Sequence, residues 1–95
     1  MITLYIQKVF HARRVRKRWR KIWSDYRLKR NINYISTSKS GINIYEYNYI
    51  WSNKKYRGVM AQELLKTHPK AVDKRLGFYC VDYNEIDVNF KWVRY

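Results

Sequence analysis

The sequence predicts an α+β fold: a basic N-terminal helix followed by a small mixed body of β-hairpins with one short helix. Three observations carry this. Apolar residues recur at three- and four-residue intervals across residues 8–23, the period of one helix face. Residues 42–51 are rich in β-branched and aromatic side chains, and a second such run follows a cluster of turn residues. Ala61–Thr67 returns to helical spacing before Pro69, and a residue that precedes proline avoids the helical region.

Each element has its own grounds. Residues 1–7 show no clear period and fit a short strand or a helix start. In residues 8–23, Ala12, Val15, Trp19, Ile22 and Trp23 form a seam, and Arg13, Arg14, Arg16, Lys17, Arg18, Arg20 and Lys21 fill the remaining arc. Ser24 or Asp25 can cap a second short helix through Arg30 by accepting a first-turn N–H. Residues 36–41 bundle small polar residues with Gly41, a loop signal. In the strand over 42–51, Tyr45, Tyr47, Tyr49 and Trp51 share one face, and Ile42, Ile44 and Ile50 the other. Residues 52–55 turn the chain, and residues 56–59 return as the second strand. Residues 71–72, a turn over 73–77 and residues 78–81 make a smaller hairpin. Residues 85–95 carry no decisive period.

The chain has 95 residues, one domain's length, near the size at which a single core is marginal. Ten Tyr and four Trp offer large contact areas suited to interfaces, so self-association is expected. A single cysteine excludes an intrachain disulfide, and Cys80 reads as a buried small hydrophobe. No apolar run approaches the roughly 20 residues that span a bilayer. The N-terminus lacks the charged-then-apolar order of a signal peptide, so a soluble chain that is not exported by itself is expected. His11 and His68 lie far apart without acids or Cys at ligand spacing, and there is no Gly-rich phosphate loop. No metal and no cofactor are expected.

The net charge of +14 is lopsided, because residues 1–30 hold eleven Lys/Arg and one acid, Asp25. Basic residues interleaved with Trp can track phosphates while the rings stack, which nominates Arg13, Arg14, Arg16, Lys17 and Arg20 for nucleic-acid contact. The same pattern fits a helix that packs by its Trp19/Ile22/Trp23 seam and leaves its charges in water. Membrane contact is not expected.

Four ordered strings go further: Ser24-Asp25-Tyr26-Arg27-Leu28-Lys29-Arg30-Asn31-Ile32, Tyr56-Arg57-Gly58-Val59-Met60-Ala61-Gln62-Glu63-Leu64, His68-Pro69-Lys70-Ala71-Val72, and Gly77-Phe78-Tyr79-Cys80-Val81-Asp82-Tyr83. Together they resemble the intramolecular chaperone domain of phage tail fibres and endosialidases, also called the peptidase S74 domain. The resemblance covers residues 24–86 and divides the chain into a basic segment, 1–23, and a chaperone-like domain, 24–95. It implies a mixed α+β body that associates as a trimer, with homo-oligomer or other virion proteins as partners. It also implies a serine, Ser24, at the peptide bond that is cut after folding, with Lys29 as its partner, Trp23–Ser24 as the scissile bond and Asp25 orienting the turn. Gly58, Gln62, Glu63, Asp82 and Tyr83 belong to its structural signature.

The chemistry of that pair is definite. A serine hydroxyl is a poor nucleophile until a base takes its proton, and a lysine serves only if burial or neighbouring cations lower its pKa. Arg27, Arg30 and Lys21 are the candidate cations. Gln62 and Glu63 fit the satisfaction of backbone donors or a subunit bridge, with Glu63 a further participant if it reaches Lys29. The sequence departs from the family after Ile86, where no heptads follow, so a body lacking the family's C-terminal coiled coil is expected. The expected function is a virion structural or assembly module, made in the host cytoplasm, trimeric and uncut. One alternative is a self-cleaving chaperone. Another is a basic virion protein that binds nucleic acid.

Overall fold

After Lys21 the chain alternates short strands with single helical turns, and most switches trace to an identifiable residue. The computed structural model describes residues 21–94. They form strands β1 (Lys21–Trp23), β2 (Lys29–Thr37), β3 (Asn43–Tyr49), β4 (Lys55–Gly58), β5 (Val72–Arg75), β6 (Phe78–Asp82) and β7 (Lys91–Val93), with one helix, α1 (Ala61–Thr67). Single 3-10 turns lie at Tyr26–Leu28, Pro69–Ala71 and Tyr83–Glu85. Every pairing is antiparallel, in two sheets ordered β1-β6-β5 and β2-β3-β4-β7. The described body is mostly β with one short helix. That helix and both expected hairpins stand where the sequence placed them.

Three local expectations need correction. The N-terminal helix lies outside the described residues up to residue 20, but its last three residues are strand: Ile22 pairs with Val81 and Trp23 with Cys80 in β1–β6. The second helix stops at Leu28 instead of running through Arg30. Asp25 closes a single turn, its carboxylate accepting from the Arg27 N–H at 2.9 Å and its carbonyl from the Leu28 N–H at 3.0 Å. Lys29 then leaves in extended conformation, at φ −124° and ψ 154°. The strand that follows was hidden because register shifts after Arg30 and Tyr34 break its two-residue alternation. Finally, the turn expected over 73–77 is only Leu76–Gly77, both at positive φ (54° and 84°). A two-residue hairpin loop of that kind matches the twist of its strands and sets Arg75 opposite Phe78.

β1 and β6 divide the core. Successive residues of a strand point to opposite faces, so Ile22 and its partner Val81 enter one cluster with Val59, Ala61, Leu64 and Tyr83. Trp23 and its partner Cys80 enter the other, with Leu28, Tyr47, Tyr49 and Met60. The residue after Trp23 therefore leaves β1 between two packed clusters, and that residue is Ser24.

Candidate functional site

Ser24 is fully buried, and its main chain is held on both sides. Its N–H donates to the Tyr79 carbonyl at 3.1 Å, and its carbonyl accepts from the Ala61 N–H at 2.8 Å, tying β1 to β6 and to the start of α1. The preceding carbonyl, that of Trp23, accepts from the Tyr49 hydroxyl at 2.6 Å. The Ser24 hydroxyl lies 3.3 Å from the Tyr83 hydroxyl, which also accepts from the Val59 N–H at 3.0 Å.

Lys29 opens β2 and sends its side chain inward, where it is buried. Its Nζ donates to the Val59 carbonyl at 2.6 Å and to the Ser24 carbonyl at 3.2 Å. It also lies 4.1 Å from the centroid of the Tyr47 ring. The structure thus brings Lys29 to Ser24 through the serine's carbonyl, while the serine hydroxyl faces Tyr83. Burial pushes the Lys29 pKa well below its ordinary value, and the carboxylates of Asp25 and Glu63 offset part of this. The neighbouring cations expected to do so point elsewhere. Arg27 holds Asp25, Arg30 donates to the Ser52 carbonyl and Asn53, and Lys21 pairs with Asp73.

Asp25 is the hub of the turn. Its carboxylate, fully buried, accepts from the Arg27 guanidinium, the Arg27 and Tyr79 N–H groups and the Gln62 amide. Burial alone raises a carboxyl pKa, but these donors override it and hold Asp25 well below the usual carboxylate range. Gln62 completes the tie by accepting from the Tyr26 N–H at 3.0 Å. Glu63, on the same turn of α1, accepts from the Tyr45 hydroxyl at 2.6 Å.

Replacing Asp25 with Ala is expected to cost about 2–3 kcal/mol, because the Tyr79 and Arg27 N–H groups lose their acceptor. The half-exposed Arg27 arm contributes little of this. An unfolded aspartate takes its proton near pH 4, and the folded carboxyl does so lower, so its contribution is present above about pH 4 and is lost as pH falls through the folded value. Acid unfolding followed by circular dichroism should be steeper below about pH 4 in the wild type than in Asp25→Ala. Equal slopes would remove Asp25 as the hub.

Gly58 ends β4 against the same group. A Cβ there would stand 2.5 Å from the Tyr83 hydroxyl and 2.7 Å from that of Tyr47, so the glycine is required by close approach. The Tyr47 hydroxyl, buried beside it, has no hydrogen-bond partner among the described residues. Asp82 accepts from the Asn84 N–H and opens the 3-10 turn that carries Tyr83. Cys80 lies in the second cluster, and burial pushes its thiol up to about 11. Arg13, Arg14, Arg16, Lys17 and Arg20 lie outside the described residues. Among the described residues no group of three or more His, Cys, Asp or Glu is placed to hold a metal, and no helix is long and apolar enough to cross a membrane.

The family profile described as the chaperone of endosialidase, peptidase S74, matches residues 24–73, from the buried serine to the first residues of β5. The chain belongs to the endosialidase chaperone family. The match takes in the Ser24–Lys29 turn, the Gly58–Glu63 segment and the Pro69 turn. The Gly77–Tyr83 string lies beyond it, yet it supplies β6 and the Tyr83 hydroxyl that meets Ser24. No curated protein and no solved structure matches the chain. Tyr49 and the Val59 carbonyl entered the site without a sequence signal of their own. The alternation of Tyr45, Tyr47 and Tyr49 along β3 was legible, but their partner across the core was not.

Proposed function

We propose that this chain is an assembly module of a virion's tail-fibre apparatus that acts as an oligomer through its chaperone domain, with a trimer favoured. The observation that carries this beyond the family match is β2. It is the edge of the four-stranded sheet and is exposed along nearly its whole length, with Ile32, Tyr34 and Ile35 presented to solvent. A long, exposed edge strand offers a row of unpaired backbone groups, a template for pairing with another chain. Sedimentation at micromolar concentration should show a trimer or a larger assembly. A stably folded monomer would count against the module.

A second reading, self-cleavage between Trp23 and Ser24, is supported by the geometry around that bond. The nucleophile candidate is buried, a lysine with a lowered pKa touches the same residue, and the scissile carbonyl already accepts a hydrogen bond. An intact-mass time course of freshly folded protein tests it. A species beginning at Ser24 supports cleavage, and a single full-length mass supports the intact module.

A further inference from the structure

Tyr49 stands apart from the motifs that define the family site, at the C-terminal end of β3, and its hydroxyl donates to the Trp23 carbonyl oxygen at 2.6 Å. That distance is at the short end for an O–H···O bond. The ring has little freedom. It is buried, stacks on Trp51 at 4.9 Å with planes 5° apart, and meets Tyr47 edge-on at 5.5 Å. Burial raises its pKa well above 10, so the phenol keeps its proton and remains a donor at any physiological pH. A fixed donor aimed at one carbonyl is the device that stabilises a developing oxyanion, since it needs no reorganisation when charge appears.

We propose that Tyr49 is a catalytic residue of self-cleavage, the donor that polarises the Trp23 carbonyl and holds its oxygen as that oxygen becomes negative. This rests on the self-cutting reading above. Ser24 Oγ turns from the Tyr83 hydroxyl and adds to the Trp23 carbonyl carbon, forming the O–C bond as its proton passes to the neutral amine of Lys29, which already meets Ser24 at its carbonyl. The carbonyl π electrons move to the oxygen under Tyr49. Collapse breaks the Trp23–Ser24 C–N bond, and the departing nitrogen takes the proton back from Lys29. The product is an ester between the Trp23 acyl group and Ser24 Oγ, with a free Ser24 amine. Water then hydrolyses the ester to a Trp23 carboxylate and the Ser24 hydroxyl.

The test is the rate of appearance of the Ser24-initiated fragment in freshly folded full-length wild type and Tyr49→Phe, read by intact mass. Phenylalanine keeps the ring and removes only the donor, so cleavage should slow by about 10²-fold or more. In an uncut Ser24→Ala background, the ¹³C resonance of the Trp23 carbonyl should move upfield on Tyr49→Phe, which a packing role would not cause. Should Tyr49→Phe fold poorly, 3-fluorotyrosine placed at 49 keeps the contacts with a more acidic phenol and should speed cleavage. A cut wild type with an equally fast Tyr49→Phe, or no acceleration by 3-fluorotyrosine, overturns the role of Tyr49 and leaves self-cleavage standing. An uncut wild type overturns self-cleavage, and the role of Tyr49 with it.

Discussion

On the self-cutting reading, Ser24→Ala abolishes the fragment that begins at Ser24, and Lys29→Met slows its formation by about 10²–10⁴-fold, the usual worth of a general base. Methionine fills most of the lysine's space without a proton acceptor, so it isolates the base from the packing. Ser24→Ala removes one hydroxyl whose contact is with Tyr83, and the fold should survive at a cost of about 1 kcal/mol. The pH dependence follows from the direction of the lysine's shift. Only the neutral amine takes a proton, and burial lowers the pKa of Lys29. The wild-type rate should rise with pH through that lowered value and then level off, and the rise should vanish in Lys29→Met. A Ser24→Ala chain still cut after Trp23, or a rate that falls as pH rises, would remove the pair from the mechanism.

Gly58→Ala is the substitution expected to unsettle the fold most. The added methyl would meet two phenol oxygens below 3 Å, and both belong to rings buried in the core. Such rings cannot swing aside as a surface side chain would. Overpacking of this kind costs about 1–3 kcal/mol. Displacing the Tyr83 hydroxyl also strips the Val59 N–H of its acceptor, which adds about 1–3 kcal/mol. A total of about 4 kcal/mol corresponds to a melting temperature lower by roughly 20 °C in a domain of this size. Pairing the change with Tyr83→Phe, which removes one of the clashing oxygens, should recover part of the loss. A Gly58→Ala protein that melts within a few degrees of the wild type would show that the two tyrosines yield easily.

Ser24, Asp25 and Lys29 were legible because they fall in one short string that resembles the family's motif, since their spacing alone fits a helix cap and a solvated lysine as well. Gly58 was legible as part of the family's structural signature, though not what approaches it. Periodicity located α1 to the residue, since Pro69 ends the helical pattern and no side chain elsewhere has to be known for that. It failed over Lys21–Trp23, where Ile22 and Trp23 continue a helical spacing by coincidence while β6 offers them strand partners 59 and 57 residues away in sequence. It failed again in β2, where two register shifts erase the alternation that marks a strand.

The sequence by itself determined the family, the placing of α1 and the two hairpins, and the residues at the turn. Those depend on local patterns and on strings read in order. Only the tertiary structure decided that the lysine's pKa is lowered by burial instead of by its cationic neighbours, because desolvation depends on what covers a side chain. It also decided that the serine hydroxyl meets Tyr83 and that Tyr49 reaches the Trp23 carbonyl. Those contacts join residues 59 and 26 positions apart, and a pairing across a core is set by how two sheets pack, which no local pattern encodes.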